Sequence, residues 1–481
     1  MILDNESTRI RKEVMRRIIV LYDEHRLAEG LARIPLEMRP RGHDPSRCCI
    51  YKARAILRYR CLAVLGFRVE EETDDPLPLS EYTRRALARQ SISGPPLTII
   101  EDACSSCVLV NYFITDACRG CLARPCLGTC AKKAIRFESG RASIDHKVCV
   151  NCGRCQETCP YHAIVYVPIP CLESCPADAL FADETGKKHI DWDKCIYCGR
   201  CMKSCPFGAV MERSELIDVL QRLAAPAPVV AMIAPAIVGQ FRAGLESIAG
   251  AIRALGFADV VEVALGADET ARREAAELEE RLRSGGRLMT TSCCPAFFEA
   301  VRKHIPELAP FVSDTRSPMY YTAKYVKDRD PAAVTVFIGP CVAKRAEALT
   351  EPLVDFVLTF EELEAMLTAR GVEIKTCEPA AIAAPATALG RGFPLTGGVA
   401  AAVQALLQDP GSVTIERIEG LNRKSLKTLK GFAEKCPSNL VEVMACEGGC
   451  VSGPAVIENP KAGAQRVQAF IRPPDPTPPR N

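Results

Sequence analysis

Cysteine is the residue that most constrains what this chain can fold into. Of the 481 residues, 26 are cysteines, and 16 of those lie between Cys104 and Cys205. The N-terminus shows no apolar segment followed by a small-residue cleavage site, so the sequence predicts no signal peptide and a cytoplasmic location. Because thiols stay reduced in the cytoplasm, so dense a group of cysteines indicates metal ligands rather than a disulfide framework.

Composition and charge exclude several classes of protein. The 61 Lys and Arg residues nearly balance the 59 Asp and Glu residues, so no overall field favours nucleic acid or an anionic membrane as a partner. Apolar residues make up 48% of the chain, which is enough to bury cores and excludes a disordered chain. The longest apolar stretch, residues 223–239, holds three prolines and therefore predicts a buried strand with turns rather than a membrane span.

Four regions follow one another along the chain. The pattern predicts a helical N-terminal region of unknown role, a Cys-rich segment, a region of alternating strands and helices, and a C-terminal tail that starts with a short helix-capable segment and ends Pro-rich. Their bounds are 1–100, 101–215, 216–456 and 457–481. Short apolar runs in the third region predict strands at 228–234, 259–265, 286–292, 334–340, 354–360 and 440–445. Strands that alternate with helices predict an α/β fold with a largely parallel sheet.

Three of the predicted strands run directly into cysteines. In open α/β sheets, sites gather beyond the carboxyl ends of the strands, so these cysteines can converge on one site. Four thiolates would hold one cubane cluster and leave one thiol over. Lys344 stands three residues after the middle cysteine, where it can give a charged hydrogen bond to an anionic group. The five cysteines are Cys293, Cys294, Cys341, Cys446 and Cys450.

The Cys-rich segment carries the spacing of ferredoxin-type iron–sulfur proteins, which predicts α+β ferredoxin-like repeats. Residues 149–160 and 195–206 each contain three cysteines separated by two intervening residues, and a fourth cysteine directly before a proline. Three closely spaced thiolates bind one cubane, and the fourth turns away to a neighbouring cluster. A zinc site usually closes on two CxxC pairs, so the Cys-Pro ending favours 4Fe–4S clusters over zinc.

Pairing these runs with the other cysteines predicts three 4Fe–4S clusters, arranged as an electron wire, and leaves four cysteines for a hypothetical fourth. The alternative for the last four is that they are ordinary buried thiols, since free cysteine packs well as a small hydrophobe. The first set is Cys118, Cys121, Cys126 and Cys159, and the second is Cys130, Cys149, Cys152 and Cys155. The third set is Cys175, Cys195, Cys198 and Cys201, and the remaining four are Cys104, Cys107, Cys171 and Cys205.

Three motifs in the third region resemble the active-site motifs of FeFe-hydrogenases. They are TSCCP at 291–295, PCVAKRAE at 340–347 and MACEGGC at 444–450. They occur in the family's order, downstream of the ferredoxin-type repeats, and their wording is most similar to the monomeric group B branch. The resemblance implies a catalytic domain with two lobes of largely parallel sheet flanked by helices. It also implies an enzyme that interconverts hydrogen with protons and electrons at an H-cluster.

The resemblance implies how that H-cluster would be held. It consists of a 4Fe–4S cubane joined to a two-iron subcluster that carries CO, cyanide and azadithiolate. The cubane ligands would be Cys294, Cys341, Cys446 and Cys450, with Cys450 also bridging to the two-iron unit. Cys293 would pass protons to and from the bridgehead amine.

The resemblance also implies roles for residues around the cofactor. Lys344 would hydrogen-bond an iron cyanide, and Glu347 would fix Lys344 or support its loop. Pro235 and Ala236 match a second cyanide-contacting turn. Met444 would pack near the bridging carbonyl.

A proton path is implied by the same resemblance. Glu274, Glu277 and Ser313 would extend the path from Cys293 towards solvent. Two glutamates three residues apart lie on one face of a helix, so a relay is geometrically possible. The alternative is that both glutamates belong to a solvated helix face.

Two positions depart from the better-known group A pattern. Phe297 stands where Trp is usual, and Met319 stands where Gln is usual. Residues around a metal centre tune its properties, so these changes put catalytic bias and oxygen tolerance in doubt.

The expected partners are hydrogen and protons, ferredoxin or a similar electron carrier, and the maturation enzymes that would install the two-iron unit. Three other functions stay open at this point. They are a hydrogen sensor, a hydrogenase-like iron–sulfur assembly factor, and a plain polyferredoxin electron carrier. A polyferredoxin would need neither the α/β region nor Cys293.

Overall fold

The computed structural model describes residues 5–42, 49–73, 75–104, 107, 111–184, 186–382 and 384–471. Of the region predicted as a tail, residues 472–481 lie outside this part. Within the described ranges, we find no helix that combines the length and apolarity needed to cross a membrane.

The chain alternates short strands and helices after a helical start. The strands are β1 (Leu97–Ile99), β2 (Tyr112–Ile114), β3 (Ile135–Glu138), β4 (Arg141–Ile144), β5 (Ile164–Tyr166), β6 (Leu180–Ala182), β7 (Lys188–Ile190), β8 (Val210–Glu212), β9 (Val229–Ile233), β10 (Asp259–Glu262), β11 (Met289–Thr290), β12 (Val334–Gly339), β13 (Phe356–Thr359), β14 (Ile415–Glu419) and β15 (Leu440–Met444). The first ten helices are α1 (Glu6–Asp23), α2 (Leu27–Gly30), α3 (Ile34–Met38), α4 (Ile50–Val64), α5 (Leu79–Ala88), α6 (Glu101–Cys104), α7 (Pro125–Thr129), α8 (Arg154–Thr158), α9 (Pro170–Ser174) and α10 (Arg200–Ser204).

The later helices are mostly longer. They are α11 (Leu216–Leu223), α12 (Leu245–Ala254), α13 (Val263–Arg283), α14 (Pro295–His304), α15 (Pro318–Arg329), α16 (Ala343–Ala348), α17 (Phe360–Ala369), α18 (Ala388–Gly392), α19 (Gly398–Ala405), α20 (Arg423–Glu434) and α21 (Pro460–Ile471). Short 3₁₀ helices lie at Leu31–Arg33, Val69–Glu71, Pro235–Gly239, Pro306–Phe311, Ile374–Thr376, Pro410–Ser412 and Cys450–Ser452.

The helical N-terminal region packs onto the α/β region. Helix α1 begins at Asn5, whose side chain accepts a hydrogen bond from the Thr8 amide at 3.1 Å, and it buries a stripe of apolar residues against α4 and α17. Arg11, on the same helix, is buried and pairs with Glu361 of α17. A buried ion pair between distant segments fixes their register, because breaking it would leave an uncompensated charge.

The Cys-rich segment is built from two-stranded antiparallel sheets and five-residue helices. The pairs are β2 with β5, β3 with β4, and β6 with β7; helices α7, α8 and α9 lie between these strands and α10 follows β7. A fourth antiparallel pair joins β1, just before the segment, to β8 at its end. This is the ferredoxin-like α+β architecture that the cysteine spacing predicts.

The region after residue 215 contains two parallel sheets. One has the order β10-β9-β12-β13 and the other the order β11-β15-β14, and every neighbouring pair is parallel. The prediction of an α/β region is confirmed. The strand predicted at 259–265 is half wrong, because α13 begins at Val263, and the one at 286–292 contracts to Met289–Thr290. The sequence pattern misses β14, an exposed, charged strand at the sheet edge.

Parallel order brings the cysteine-bearing strand ends together. Strands β11 and β15 pair directly, so Cys293 and Cys446 follow neighbouring ends of one sheet. In the other sheet β9 and β12 pair directly, so Pro235 and Cys341 follow neighbouring ends. The carboxyl ends of both sheets therefore contribute loops to one place.

Candidate metal centre

One cavity lies among those loops. Its wall is almost entirely apolar, apart from sulfur atoms and one lysine. The residues that share it include Cys293, Cys294, Cys341, Cys446, Cys450, Lys344, Met444, Pro235 and Ala236. The three strand-end motifs thus surround a single cavity, and Met319, one of the departures from the group A pattern, also lines it.

Two glycines let the cysteine loops approach each other. Gly449, directly before Cys450, has φ +87°, and an added Cβ would lie 2.4 Å from the Pro394 carbonyl oxygen. At Gly453 an added Cβ would lie 2.5 Å from the carbonyl oxygen of Pro340. Any side chain at either position would collide with backbone, so both positions require glycine. The close contact at Gly453 holds the Cys450 loop against the Cys341 loop.

Burial keeps the cavity thiols from ionising on their own. It raises the pKa of Cys341 to about 11 and that of Cys450 to about 12, and neighbouring thiols add to both shifts. Burial also raises the pKa of Cys293 and Cys446 well above the ordinary thiol value. Ligand cysteines are thiolates, and a bound metal supplies the positive charge that stabilises them. Four converging soft sulfur donors in a dry cavity fit an iron–sulfur group.

Lys344 is held at the cavity wall by a carboxylate. Its Nζ lies 2.7 Å from Oε2 of Glu347, and the hydroxyl of Ser317 donates to the other carboxylate oxygen. Burial lowers the pKa of Lys344, but Glu347 and the nearby thiols outweigh it, so the net pKa is raised. The ammonium therefore stays charged beside the cavity, where an anionic group would meet it.

Glu274 comes from α13 to the backbone just before Cys293. One carboxylate oxygen accepts hydrogen bonds from the amide and the hydroxyl of Ser292, at 3.0 and 3.2 Å. The other oxygen is buried and has no hydrogen-bond partner among the described residues. Burial raises the pKa of Glu274 to about 7. Its charge in turn contributes to the raised pKa of Cys293, so the two groups are close.

Glu277 forms a second hydrogen-bonded group, one turn further along α13. It accepts from the hydroxyls of Ser313 and Thr315, at 2.6 and 3.1 Å, and pairs with Arg281 at 2.6 Å. Ser313 therefore bonds Glu277, whereas Glu274 bonds Ser292. A solvated helix face does not describe Glu274, which is fully buried.

Sequence reasoning missed four polar residues at this site. Ser317 bonds Glu347, Ser292 bonds Glu274, and Thr315 and Arg281 bond Glu277. Ser292 had a local signal, since it precedes Cys293 within TSCCP. Ser292, Ser313, Ser317 and Glu347 also line a common cleft, separate from the cavity.

The first two predicted cysteine sets each surround a pocket of their own. Cys118, Cys121, Cys126 and Cys159 line one, and Cys130, Cys149, Cys152 and Cys155 line another. Among the described residues, no three His, Cys, Asp or Glu side chains are placed to hold a single metal ion. The sulfurs of each set instead surround a pocket.

The third set lies next to the large cavity. Cys195, Cys198 and Cys175 pack against one apolar cluster, and each raises the pKa of Cys201, although burial has the largest effect. Cys198 also lines the cavity and contributes to the raised pKa of Cys446. An occupant of this set and an occupant of the cavity would be immediate neighbours. The remaining four cysteines also lie together, against the main core.

Comparison with known families agrees with this arrangement. Residues 227–454 match the family model described as iron only hydrogenase large subunit, C-terminal domain. Residues 142–165 match a 4Fe–4S binding domain, and residues 165–216 match the LdpA Fe–S cluster-binding domain. The matched ranges include the cavity and most of the cysteine sets.

Individual relatives are similar over part of the chain. Iron hydrogenase 1 of Clostridium pasteurianum is 28% identical over 51% of this chain, and the match spans 53% of that protein's length. A cytosolic Fe–S cluster assembly factor, NAR1 of Kluyveromyces lactis, is 32% identical over 24% of this chain and 26% of its own. A solved variant of the FeFe-hydrogenase HydA1 from Chlamydomonas reinhardtii is 22% identical, covering 54% of this chain and 89% of that one, with a TM-score of 0.44. That structural likeness is too low to bear on function.

The fold and the sulfur sets define an iron–sulfur protein with a cysteine-lined cavity between parallel sheets. The family matches show which iron–sulfur proteins this chain resembles. The chain is an FeFe-hydrogenase-like protein with ferredoxin-type 4Fe–4S motifs.

Proposed function

We propose that this protein is an FeFe-hydrogenase, an oxidoreductase that interconverts hydrogen with protons and electrons. The observation that carries the proposal is the single cavity in which Cys293 and Lys344 stand beside four further cysteines. An H-cluster would be held there by those four, and when bound it supplies the iron site at which hydrogen is split or formed. The four ligands would be Cys294, Cys341, Cys446 and Cys450.

Cys293 is the residue that holds a proton beside the reacting atoms. Its burial keeps the sulfur protonated until a neighbouring base accepts the proton. Glu274 is that base, because it is close, has one unpartnered oxygen, and has a pKa of about 7 that suits exchange in both directions. Ser292 and then the Glu277–Ser313 group continue towards the outer cleft.

Lys344 and the apolar wall position the cofactor and exclude water. The ammonium, fixed by Glu347, presents its charge to an anionic ligand such as cyanide. Met444, Phe393 and Val399 pack together at one side of the cavity. Exclusion of water strengthens every charge interaction inside.

Electrons reach the cavity through the iron–sulfur segment. The third cysteine set touches the cavity through Cys198, and Cys152, in the second set, is an exposed residue. We assign the exposed end to exchange with ferredoxin or a similar external carrier. Maturation enzymes would have to supply the two-iron unit.

Infrared spectroscopy of the maturated protein tests the proposal. Bands of iron-bound CO and cyanide, together with hydrogen uptake in an assay, are the expected result. Absence of these bands in protein whose cubane is intact would reject the hydrogenase proposal.

A buried proton relay makes a separate prediction. Glu274→Gln should lower turnover by roughly 10²- to 10⁴-fold, because the amide cannot take up the proton. Since burial raises the pKa of Glu274 to about 7, wild-type turnover should change near that pH. The residual activity of the Glu274→Gln variant should not change there. The infrared bands should be retained. Glu280→Gln, on the exposed face of the same helix, is the matched control, and equal activity of both variants would remove Glu274 from the path.

An iron–sulfur assembly factor is the second candidate, because NAR1 is among the relatives. Such a protein would need cubane ligands in the cavity but no proton relay. It would show iron–sulfur absorption without CO or cyanide bands. A hydrogen sensor would show the bands with little turnover.

A further inference from the structure

Four cysteines outside the three predicted sets meet in the core of the protein. Cys104 ends α6, Cys107 follows one turn later, Cys171 lies in α9 and Cys205 follows α10. Cys104 and Cys171 are buried, and Cys107 and Cys205 pack against the same core. We propose that these four cysteines hold a further 4Fe–4S cluster, and that the buried Lys188 is its counter-charge. The inference does not depend on hydrogen turnover in the large cavity.

Cysteine occupies the same position in four short helices of the iron–sulfur segment. Each of the five-residue helices α7, α8, α9 and α10 has cysteine as its second residue. In α7, α8 and α10 that cysteine belongs to one of the three predicted sets. Cys171 holds the same position in α9, so its backbone presents the sulfur as a ligand would be presented.

The same hydrogen bond to a cysteine sulfur occurs after each of these four helices. The cysteine after each of these helices accepts a backbone N–H from the alanine four residues later. These bonds join Ala134 to Cys130, Ala163 to Cys159, Ala179 to Cys175 and Ala209 to Cys205, at 3.3, 3.4, 3.3 and 3.4 Å. The first three sulfurs belong to the predicted sets. Hydrogen bonds to cluster sulfurs are a regular feature of these sites, and Cys205 has the same bond.

A recurring backbone hydrogen bond identifies the segment that completes the site. In each predicted set, three cysteines come from one closely spaced run and the fourth comes from another part of the segment. The residue three or four positions before the run donates its backbone N–H to the carbonyl oxygen of the alanine four residues after that fourth cysteine. The bonds run from Thr115 to Ala163, from Asp145 to Ala134 and from Asp191 to Ala179, at 2.8, 2.7 and 2.7 Å. Ile100, four residues before Cys104, makes the same bond to Ala209 at 2.7 Å. Cys104 and Cys107 therefore stand to Cys205 as the cysteines of the run stand to the fourth cysteine in each predicted set.

Lys188 points to an anionic occupant. It is 1% exposed, and its Nζ donates to the carbonyl oxygen of Gly186 at 2.5 Å, with no ion pair to a described carboxylate. Its charge acts on Cys104 and on Cys171. A buried ammonium without a counter-ion costs several kcal/mol. Four thiolates around a cubane carry net negative charge, which would offset that cost.

The further cluster would extend the proposed chain of three 4Fe–4S clusters. Helix α9 packs against α10, and Cys171 lies close enough to Cys201 to affect its pKa. The further cluster would therefore be a neighbour of the third. A positive charge beside a cluster favours its reduced state, so Lys188 would make this cluster easier to reduce than the same cluster without it.

Iron content of the full chain tests the inference. Protein reconstituted anaerobically with iron and sulfide, without the two-iron unit, should hold about 20 irons rather than about 16, at four per cluster. Cys171→Ser with Cys104→Ser should lose about four of them, together with one spin in the reduced sample's electron paramagnetic resonance spectrum. Cys377→Ser, outside every set, is the control. About 16 irons in the wild type, or no loss in the double variant, would overturn the proposal.

The second variant covers the case in which the cysteine changes prevent folding. Lys188→Met should shift the midpoint potential of one cluster to a more negative value and leave the others unmoved. Lys187→Met, which removes the adjacent exposed lysine, should shift none. Unchanged potentials in Lys188→Met would reject the counter-charge, and a spin count of only four cubanes in the wild type would reject the site. Neither readout requires CO or cyanide bands, so failure of the proposed hydrogenase activity remains distinguishable.

Discussion

The two halves of the iron–sulfur segment share a spacing and differ in their surroundings. The outer half, residues 111–167, leaves Cys152 exposed to solvent. The inner half, residues 168–215, buries Cys195 and Cys201, and burial raises the pKa of Cys195 to about 11. In the outer half, backbone hydrogen bonds lower the pKa of Cys118. One ligand pattern therefore serves two environments, which suits an accessible end and an insulated end of one electron path.

The inner half owes its burial to contacts with the α/β region. Lys303 of α14 donates to the carbonyls of Trp192 and Cys195, at 2.9 and 2.6 Å. Arg200 donates to the carbonyl of Leu421. These bonds come from residues far along the chain. Packing partners, rather than cysteine spacing, thus distinguish the two halves.

Loss of an inner ligand should have the largest effect. Cys201→Ser removes a ligand from the set that touches the cavity, so hydrogen-dependent reduction of an external carrier should fall on the order of 100-fold or more, as when a metal site loses its support. Infrared bands of the H-cluster should persist. Cys152→Ser, at the exposed end, should have a milder effect when the carrier is a small artificial dye, because the dye can accept electrons directly from inner clusters. Equal losses in both variants would contradict the assignment of an inner and an outer end.

A matched pair of glycines gives the next largest difference. Gly153 and Gly199 follow the second cysteine of their runs and have φ of +80° and +71°. In Gly199→Ala the new Cβ would lie 2.6 Å from Val342 and 2.8 Å from Pro454, both in the α/β region. In Gly153→Ala it would meet the hydroxyl end of Tyr112, which can move.

The two substitutions should therefore separate in stability. We expect a loss of about 1 kcal/mol for Gly153→Ala from the left-handed backbone alone. Gly199→Ala should lose about 2–4 kcal/mol, because collision with packed side chains adds to that strain. Thermal unfolding of the iron-loaded protein measures the difference. A loss in Gly153→Ala as large as in Gly199→Ala would contradict the tighter packing of the inner half.

Much of this arrangement follows from local sequence, and the remainder depends on contacts between distant segments. Cysteine spacing predicts the sets that line the two outer pockets, because three ligands of each lie within a few residues. Apolar runs predict the central strands, since their side chains face helices on both sides. The pattern misses β14, whose charged side chains lie at an edge, and Ser292, whose partner Glu274 approaches from another helix. Lys188 has no sequence signal, because a lysine becomes a buried charge only when other segments cover it.

Glu215, at the end of the inner half, predicts a pH dependence of stability. It is buried, accepts a hydrogen bond from the Val357 amide at 2.6 Å, and faces Arg345, Asp218 and Glu362. Burial raises its pKa to about 7. Between its ordinary pKa of about 4.5 and 7, the unfolded chain has released the proton and the folded chain retains it, so this group makes stability fall as pH rises.

Glu215→Gln should remove that slope while keeping an oxygen for Val357. Relative to wild type, the variant should gain about 1–3 kcal/mol between pH values of about 5 and 7. Chemical unfolding at several pH values measures the gain, with Glu157→Gln on the exposed outer half as the control. A variant whose stability runs parallel to wild type across this range would show that Glu215 does not titrate there.

The smallest expected difference concerns the rate of iron loss. Oxidant and chelator reach exposed sulfur first, so the outer clusters should lose iron about tenfold faster than the inner ones, in proportion to their exposure. Spectra of Cys152→Ser identify which signal belongs to the outer half. The rates separate two explanations of the raised inner pKa values. If burial also shields the inner clusters, the spectroscopic signals of the inner clusters should outlast those of the outer clusters. Simultaneous loss would mean that the inner half opens as readily as the outer half. In that case the tight packing around Gly199 would not protect the path to the cavity.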